Sequence, residues 1–171
     1  MMHRIGVPYE RKALYVLITV PMVVMYVAIA IHLWTVREVF AVIYCAFFVF
    51  VMIFQSYNCI YWRCPHVGTL CPGAGGFCIP SSYIAKLFRH AKRSKALYNL
   101  FCTLAYLNFF GIIFFPMYFI YRLSVVYLLA YLSIVVAYAL GMLVLICPVC
   151  GARDACPGGQ TAVQLRGLIS K

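Results

Sequence analysis

Acidic side chains are almost absent from this chain of 171 residues, which carries only Glu10, Glu38 and Asp154. Charged residues of both signs make up 10% of the sequence and hydrophobic residues 66%, against roughly 45–50% apolar residues in soluble domains. No carboxylate falls in the middle of an apolar segment, which argues against a proton pump or an ion-coupled transporter. Paired carboxylates, a nucleophile elbow and a phosphate-binding glycine loop are also missing, so we do not expect catalysis by side chains alone.

Histidine is scarce as well. Of the four histidines only His32 falls in an apolar segment, near its end, while His3, His66 and His90 lie outside. A haem held between helices by two facing histidines is therefore not expected. The net charge of +11 comes from loops beside apolar segments, where Lys and Arg attract anionic lipids and set topology. We expect no nucleic-acid partner.

Four stretches without a charged residue define the predicted architecture. They lie between Lys12 and Arg37, between Glu38 and Arg63, between Lys95 and Arg122, and between Arg122 and Arg153. Each is longer than the ~20 residues that a helix needs to cross a bilayer. The sequence predicts one all-α integral membrane domain, residues 1–171, with transmembrane helices at about 13–35, 38–57, 97–121 and 123–146.

The distribution of cations predicts the orientation. All 14 Lys and Arg residues except Arg37 and Arg122 fall on the side that holds both termini and the long middle loop. Because short cytoplasmic loops carry an excess of Lys and Arg, we predict a multi-pass protein of the cell membrane with cytoplasmic N- and C-termini.

Cys-Pro pairs recur after the second and the fourth predicted helices. They are Cys64-Pro65 and Cys71-Pro72 in the first half, and Cys147-Pro148 and Cys156-Pro157 in the second. A glycine pair follows in each half, so we interpret the chain as two pseudo-repeated helical hairpins. Each hairpin would deliver a cytoplasmic Cys-rich segment, the loop 58–80 or the C-terminal tail 147–171. If the hairpins pack with pseudo-twofold symmetry, we expect the second and fourth helices to be neighbours.

A basic amphipathic segment at 81–95 follows the first Cys-rich loop. One face of this predicted helix is apolar and contains Tyr83, Ile84, Leu87, Phe88 and Ala91, and cations such as Lys86 lie elsewhere. The pattern is typical of a helix that lies in the bilayer interface. Its cations favour an anionic lipid or an acidic electron carrier as partner.

Reduced cytoplasmic thiols in a cluster indicate a metal or redox site rather than disulfides. If the two halves contribute equally to one site, the ligands of the shared cofactor are the four Cys-Pro cysteines: Cys64, Cys71, Cys147 and Cys156. Candidate ligands of a second centre are Cys59, Cys78 and Cys150, and His66 could replace a thiol. Neighbouring glycines favour an iron–sulfur cluster, because they let backbone amides approach its sulfurs.

Zinc is the competing cofactor. The segment Cys147-Pro148-Val149-Cys150-Gly151 has the C-P-x-C-G form of a zinc knuckle, and the segment from Cys64 to Gly68 is a degenerate counterpart. Zinc would make the chain a structural or assembly subunit. A third alternative is a thiol-based metal carrier or a dithiol oxidoreductase, because soft thiolates bind copper, mercury and zinc.

The layout resembles the four-helix membrane electron-transfer subunits of periplasmic nitrate reductase and of nitrous-oxide reductase maturation. In that family a C-x3-C-P motif follows the second helix and again the fourth. Here Cys59-x4-Cys64-Pro65 and Cys150-x5-Cys156-Pro157 occupy the corresponding places, over residues 37–160. The resemblance implies an iron–sulfur subunit, with a 4Fe-4S cluster, that carries electrons at the cytoplasmic face with other subunits of a redox complex. Both cysteine gaps are longer than the family's, and the ferredoxin domain that usually follows is missing, so we expect a small accessory subunit.

Overall fold

The computed structural model describes residues 12–64, 67–68, 78–88, 90, 92–149 and 157–169. Its helices are α1 (Lys12–Val36), α2 (Glu38–Tyr61), α3 (Cys78–Leu87), α4 (Lys95–Leu123), α5 (Val125–Gly141) and α6 (Pro157–Ile169). A π-helical turn, Met142–Ile146, and a 3-10 turn, Cys147–Val149, extend α5. All regular structure in these ranges is helical, as the sequence predicts, and they contain no strand.

Within the described ranges four helices are long and apolar enough to cross a membrane, the number that the sequence predicts. They are Ala13–Val36, Glu38–Tyr61, Lys95–Leu123 and Val125–Ile146. The second span continues beyond the predicted residue 57 because no glycine or proline interrupts the chain before Pro65.

A single extended residue joins the helices of each hairpin. Arg37 connects α1 to α2 with φ −161° and ψ 132°. Ser124 connects α4 to α5 with φ −170° and ψ 144°, and its hydroxyl accepts a hydrogen bond from the Val126 N–H at 3.2 Å. The two hairpins therefore share one turn geometry, although only the second has a side-chain cap.

The order of the spans around the bundle is α1, α2, α4, α5. The closest packing is between α2 and α4, while α1 contacts both α2 and α5, and α4 contacts α5. Consequently α2 and α5 face each other across the core and are not the neighbours that we expected. The physical reason is geometric: a twofold axis through a ring of four helices relates each helix to the one on its diagonal. Twofold-related hairpins thus place their corresponding helices on opposite corners.

Aromatic rings fill the interface between α2 and α4. Phe40, Tyr44 and Phe47 of α2 meet Phe115 and Phe119 of α4, with ring centroids 4.8–6.4 Å apart. Pairs of this kind contribute about 0.5–1.5 kcal/mol beyond the burial of their area. They account for the preference of α2 for α4 over its other neighbours.

Pro116 lies inside α4 without ending the helix, as the sequence predicts. A proline removes one donor from the helical ladder and disturbs the preceding carbonyls. One of these carbonyls, that of Ile113, accepts a hydrogen bond at 2.9 Å from the Tyr131 hydroxyl of α5. This contact shows how a neighbouring helix supports the backbone around the proline.

Large apolar side chains cover the outside of the four spans. Leu17 and Ile31 of α1, Leu107 of α4 and Val126 of α5 are between 61% and 71% exposed. A water-soluble monomer rarely exposes continuous apolar surface of this kind. The exterior is typical of helices that contact lipid.

α3 occupies Cys78–Leu87 and is shorter than the amphipathic helix predicted at 81–95. The Tyr57 hydroxyl donates to the Lys92 carbonyl and accepts from the Ser94 N–H, both at 3.0 Å. These bonds hold the segment 92–94 against the end of α2 in a non-helical conformation, and Ser94 is extended. Periodicity within 81–95 could not reveal this end point, because Tyr57 is 35 residues away from Lys92 along the chain.

Candidate metal centre

Both Cys-rich segments are attached to the same end of the bundle, which we call the thiol end. α1 and α4 begin there, and α2 and the π-helical extension of α5 return there. Cys59, Cys64 and Cys147 therefore lie at this end, together with most of the described cations. The interhelical turns at Arg37 and Ser124 form the opposite end.

Two of the predicted ligands share a small cluster at the end of α2. Cys59 is buried, with an exposed fraction of 8%, beside Ile60 and Ala85. Cys64 and Val67 pack against this group. The structure thus brings Cys59 and Cys64 into one environment, between the last turn of α2 and the inner face of α3.

The turn that returns Cys64 to this cluster is a Schellman motif. The Cys64 N–H donates to the Cys59 carbonyl at 2.9 Å, and the Arg63 N–H donates to the Ile60 carbonyl at 3.2 Å. Arg63 occupies the left-handed position of the motif, with φ +52°. Glycine usually takes this position, since a Cβ there is strained. The sequence contains no signal for this motif, so the role of Arg63 could not be predicted from it.

The chain beyond Cys64 is tied to α3. The Gly68 N–H donates to the Ser82 carbonyl at 3.0 Å. Gly68 has φ +76°, and a Cβ on it would lie 3.0 Å from Cδ of Lys86. Ser81 and Ser82 are fully buried, so small side chains let α3 lie close to the bundle. These contacts hold Gly68 against α3.

Cys147 lies in a different environment. Its N–H donates to the Met142 carbonyl, a π-helical bond, and the following Pro148 has no N–H to continue an α-helical ladder. The wide turn directs the chain toward α1, where Cys147 packs against a cluster that contains Tyr15 and Ile146. Single π-turns within helices are frequent at functional sites.

The cysteines that the structure describes do not converge on one point. Cys59 and Cys64 lie beside α3, whereas Cys147 lies beside α1, because α2 and α5 are diagonal in the bundle. Within the described ranges, no three His, Cys, Asp or Glu side chains are grouped so that they could hold a metal ion. The five cysteines described there, which include Cys45 of α2 and Cys102 of α4, form no disulfide.

The remaining predicted ligands cannot be placed in the same way. Cys71, Cys150, Cys156 and His66 lie outside the described residues. Cys78 is described by its backbone alone, at the first residue of α3. Since α3 packs on the last turn of α2, the backbone of Cys78 begins an element that borders the Cys59 and Cys64 cluster.

An iron–sulfur cluster or a tetrathiolate zinc site requires four ligands. The described part of the chain supplies two thiols in one environment and one in another, so it does not by itself fit such a centre. Any complete centre must recruit ligands from the segments next to these cysteines.

No protein-family model, curated protein or solved structure matches this chain. The likeness to the four-helix electron-transfer subunits therefore rests on layout alone. That layout consists of four helices of membrane length, with Cys-Pro pairs after the second and the fourth.

Proposed function

We propose that this chain is an integral-membrane accessory subunit that binds an iron–sulfur cluster at its thiol end and carries electrons within a larger redox complex. The observation that carries the proposal is that Cys59, Cys64 and Cys147 lie at one end of the bundle, where the two Cys-rich segments of the sequence join the helices. The cofactor would supply one-electron chemistry, and the role of the chain is to hold it at the membrane surface.

The apolar exterior of the four spans supports insertion in the cell membrane. We assign the thiol end to the cytoplasm, because Lys and Arg are concentrated there and only Arg37 and Arg122 lie at the opposite end. A cytoplasmic position keeps the thiols reduced and able to bind metal.

Cys59 and Cys64 are the proposed anchoring ligands, since the Schellman turn returns Cys64 to the cluster that contains Cys59. Two ligand sets can complete the centre. In a local set, Cys71 and Cys78 of the same loop take part. In a shared set, Cys147 and Cys156 of the second half do so.

Anaerobic purification in detergent, followed by iron, sulfide and zinc analysis and by optical and EPR spectra, tests the proposal. We expect iron with acid-labile sulfide and the absorption of a cluster. A colourless protein with about one zinc per chain would contradict electron transfer and favour a structural site. Cys147→Ser distinguishes the ligand sets, because it abolishes a shared centre and leaves a local one intact.

Zinc is the second candidate, and one observation favours it. The residues Cys147–Val149 form a 3-10 turn, and they are the first three residues of the C-P-x-C-G segment. A tight turn at this point is what a zinc knuckle needs to direct two thiolates to one ion at ~2.3 Å. Such a site would join the end of the fourth span to the tail and would make the chain an assembly subunit.

A further inference from the structure

We propose that α3 and the segment 92–95 form a binding surface for the headgroups of anionic phospholipids in the leaflet at the thiol end. This inference rests on the membrane insertion proposed above, and it is independent of any metal. Its components are an outward apolar face, a set of cations and an aromatic group, all of them on elements held against the ends of α2 and α4.

The outward face of α3 is the apolar one. Tyr83 and Leu87 are 53% and 80% exposed, while Ser81 and Ala85 on the inward face are fully buried. Phe88, the first residue beyond the helix, is 57% exposed. A helix of a water-soluble protein would direct its large apolar side chains inward. The reversed arrangement at the end of a membrane bundle suits a helix whose outer face enters the bilayer interface.

The cations of this surface have no acidic neighbours among the residues that the structure describes. Lys86, Lys92, Arg93 and Lys95 are exposed here. Glu38 is the one carboxylate in the described ranges, and it lies at the opposite end of the bundle, at the first residue of α2. The positive field of the surface is therefore not neutralised by described carboxylates, and it is available to anionic headgroups.

The surface is fixed in position. Besides the two bonds of the Tyr57 hydroxyl to the segment 92–94, the side chains of Tyr61 and Tyr98 stack with centroids 4.3 Å apart. Trp62 meets the Tyr98 ring edge-on at 5.8 Å. Tyr and Trp side chains concentrate at the level of lipid headgroups, so this group marks the depth at which the cations lie.

An anionic lipid satisfies both halves of the surface, since its headgroup pairs with the cations while its acyl chains cover Leu87 and Phe88. A soluble acidic protein would satisfy the cations alone. This difference decides between the two kinds of partner that the charge pattern allows.

Trp62 provides a probe for the test, because the other tryptophan, Trp34, lies near the opposite end of α1. The full-length Trp34→Phe variant is reconstituted in vesicles of phosphatidylcholine and phosphatidylglycerol. Trp62 fluorescence is then quenched with either lipid in brominated form. One cation attracted to an anionic surface corresponds to about fivefold local enrichment of anionic lipid. We expect brominated phosphatidylglycerol to quench several times more strongly per molecule than brominated phosphatidylcholine.

One test variant and one control variant show whether the cations of this surface cause the preference. The change Lys86→Gln, Lys92→Gln and Arg93→Gln should remove the preference, whereas Arg37→Gln with Arg122→Gln should leave it. Equal quenching by the two lipids would overturn the proposal. This holds even if the triple variant bound a soluble acidic protein less tightly than the unchanged protein does. A purified protein that contains no metal but still shows the preference for phosphatidylglycerol would refute the proposed cofactor and support the lipid-binding surface.

Discussion

Replacing Gly111 of α4 with alanine tests how closely α2 and α4 pack. A Cβ at this position would lie 3.1–3.2 Å from three carbons of the Phe47 ring. Ordinary contacts between carbons are about 3.5–4.0 Å. The ring also meets Phe115, with centroids 5.9 Å apart, which limits its movement on that side. The variant must therefore shift Phe47 or separate the two helices by a few tenths of an ångström.

A matched pair of variants isolates the loss of stability that this close contact causes. Overpacking of this kind costs about 1–3 kcal/mol, while alanine gains up to about 1 kcal/mol over glycine in a helix. At Gly141 a Cβ would meet Cδ1 of Ile18 at 3.4 Å, an ordinary contact. Since the helical gain is common to both sites, Gly111→Ala should be less stable than Gly141→Ala by about 1–3 kcal/mol.

Unfolding in mixed micelles, followed by far-UV circular dichroism as the denaturing detergent is increased, measures this difference. A lower midpoint for Gly111→Ala than for Gly141→Ala and for the unchanged protein is the expected result. If Gly111→Ala proved as stable as Gly141→Ala, the close approach of Gly111 to Phe47 would be refuted.

Two further variants test the thiol end. Arg63→Gly should stabilise the protein by about 1 kcal/mol, because it relieves the left-handed backbone at φ +52°, and Arg63→Val should destabilise it in the same detergent-unfolding assay. Tyr57→Phe removes both hydrogen bonds to the segment 92–94 and should cost about 1–2 kcal/mol locally, seen as faster hydrogen exchange of the Ser94 amide. Tyr61→Phe, which keeps its stack on Tyr98, is the control, and equal exchange in the two variants would contradict the role of the Tyr57 hydroxyl.

The spans could be predicted from the sequence because their limits are set by charge. Arg37, Glu38 and Arg122 interrupt the apolar runs where the chain turns, and no tertiary contact is needed to read them. The order of the helices could not be predicted. It depends on close non-local packing, such as that between Phe47 and Gly111, which leaves no periodic signal.

The candidate site divides in the same way. Topology alone predicts that the Cys-Pro pairs share one end of the bundle, because each follows a helix that runs in the same direction. The separation of Cys64 from Cys147 could not be predicted, since it follows from the diagonal placement of α2 and α5. The turn at Arg63 could not be predicted for another reason. Glycine in a sequence indicates a left-handed backbone position, whereas arginine gives no such signal.

Whether the thiol end binds an iron–sulfur cluster is decided by the iron and sulfide content of Cys64→Ser, compared with that of Cys45→Ser after identical anaerobic purification. Both residues belong to the first hairpin, but Cys45 lies exposed within the α2 span and Cys64 at the thiol end. We expect Cys64→Ser to lose the cluster and Cys45→Ser to retain the iron and sulfide of the unchanged protein. Equal iron and sulfide in the two variants, or their absence from the unchanged protein, would contradict this expectation.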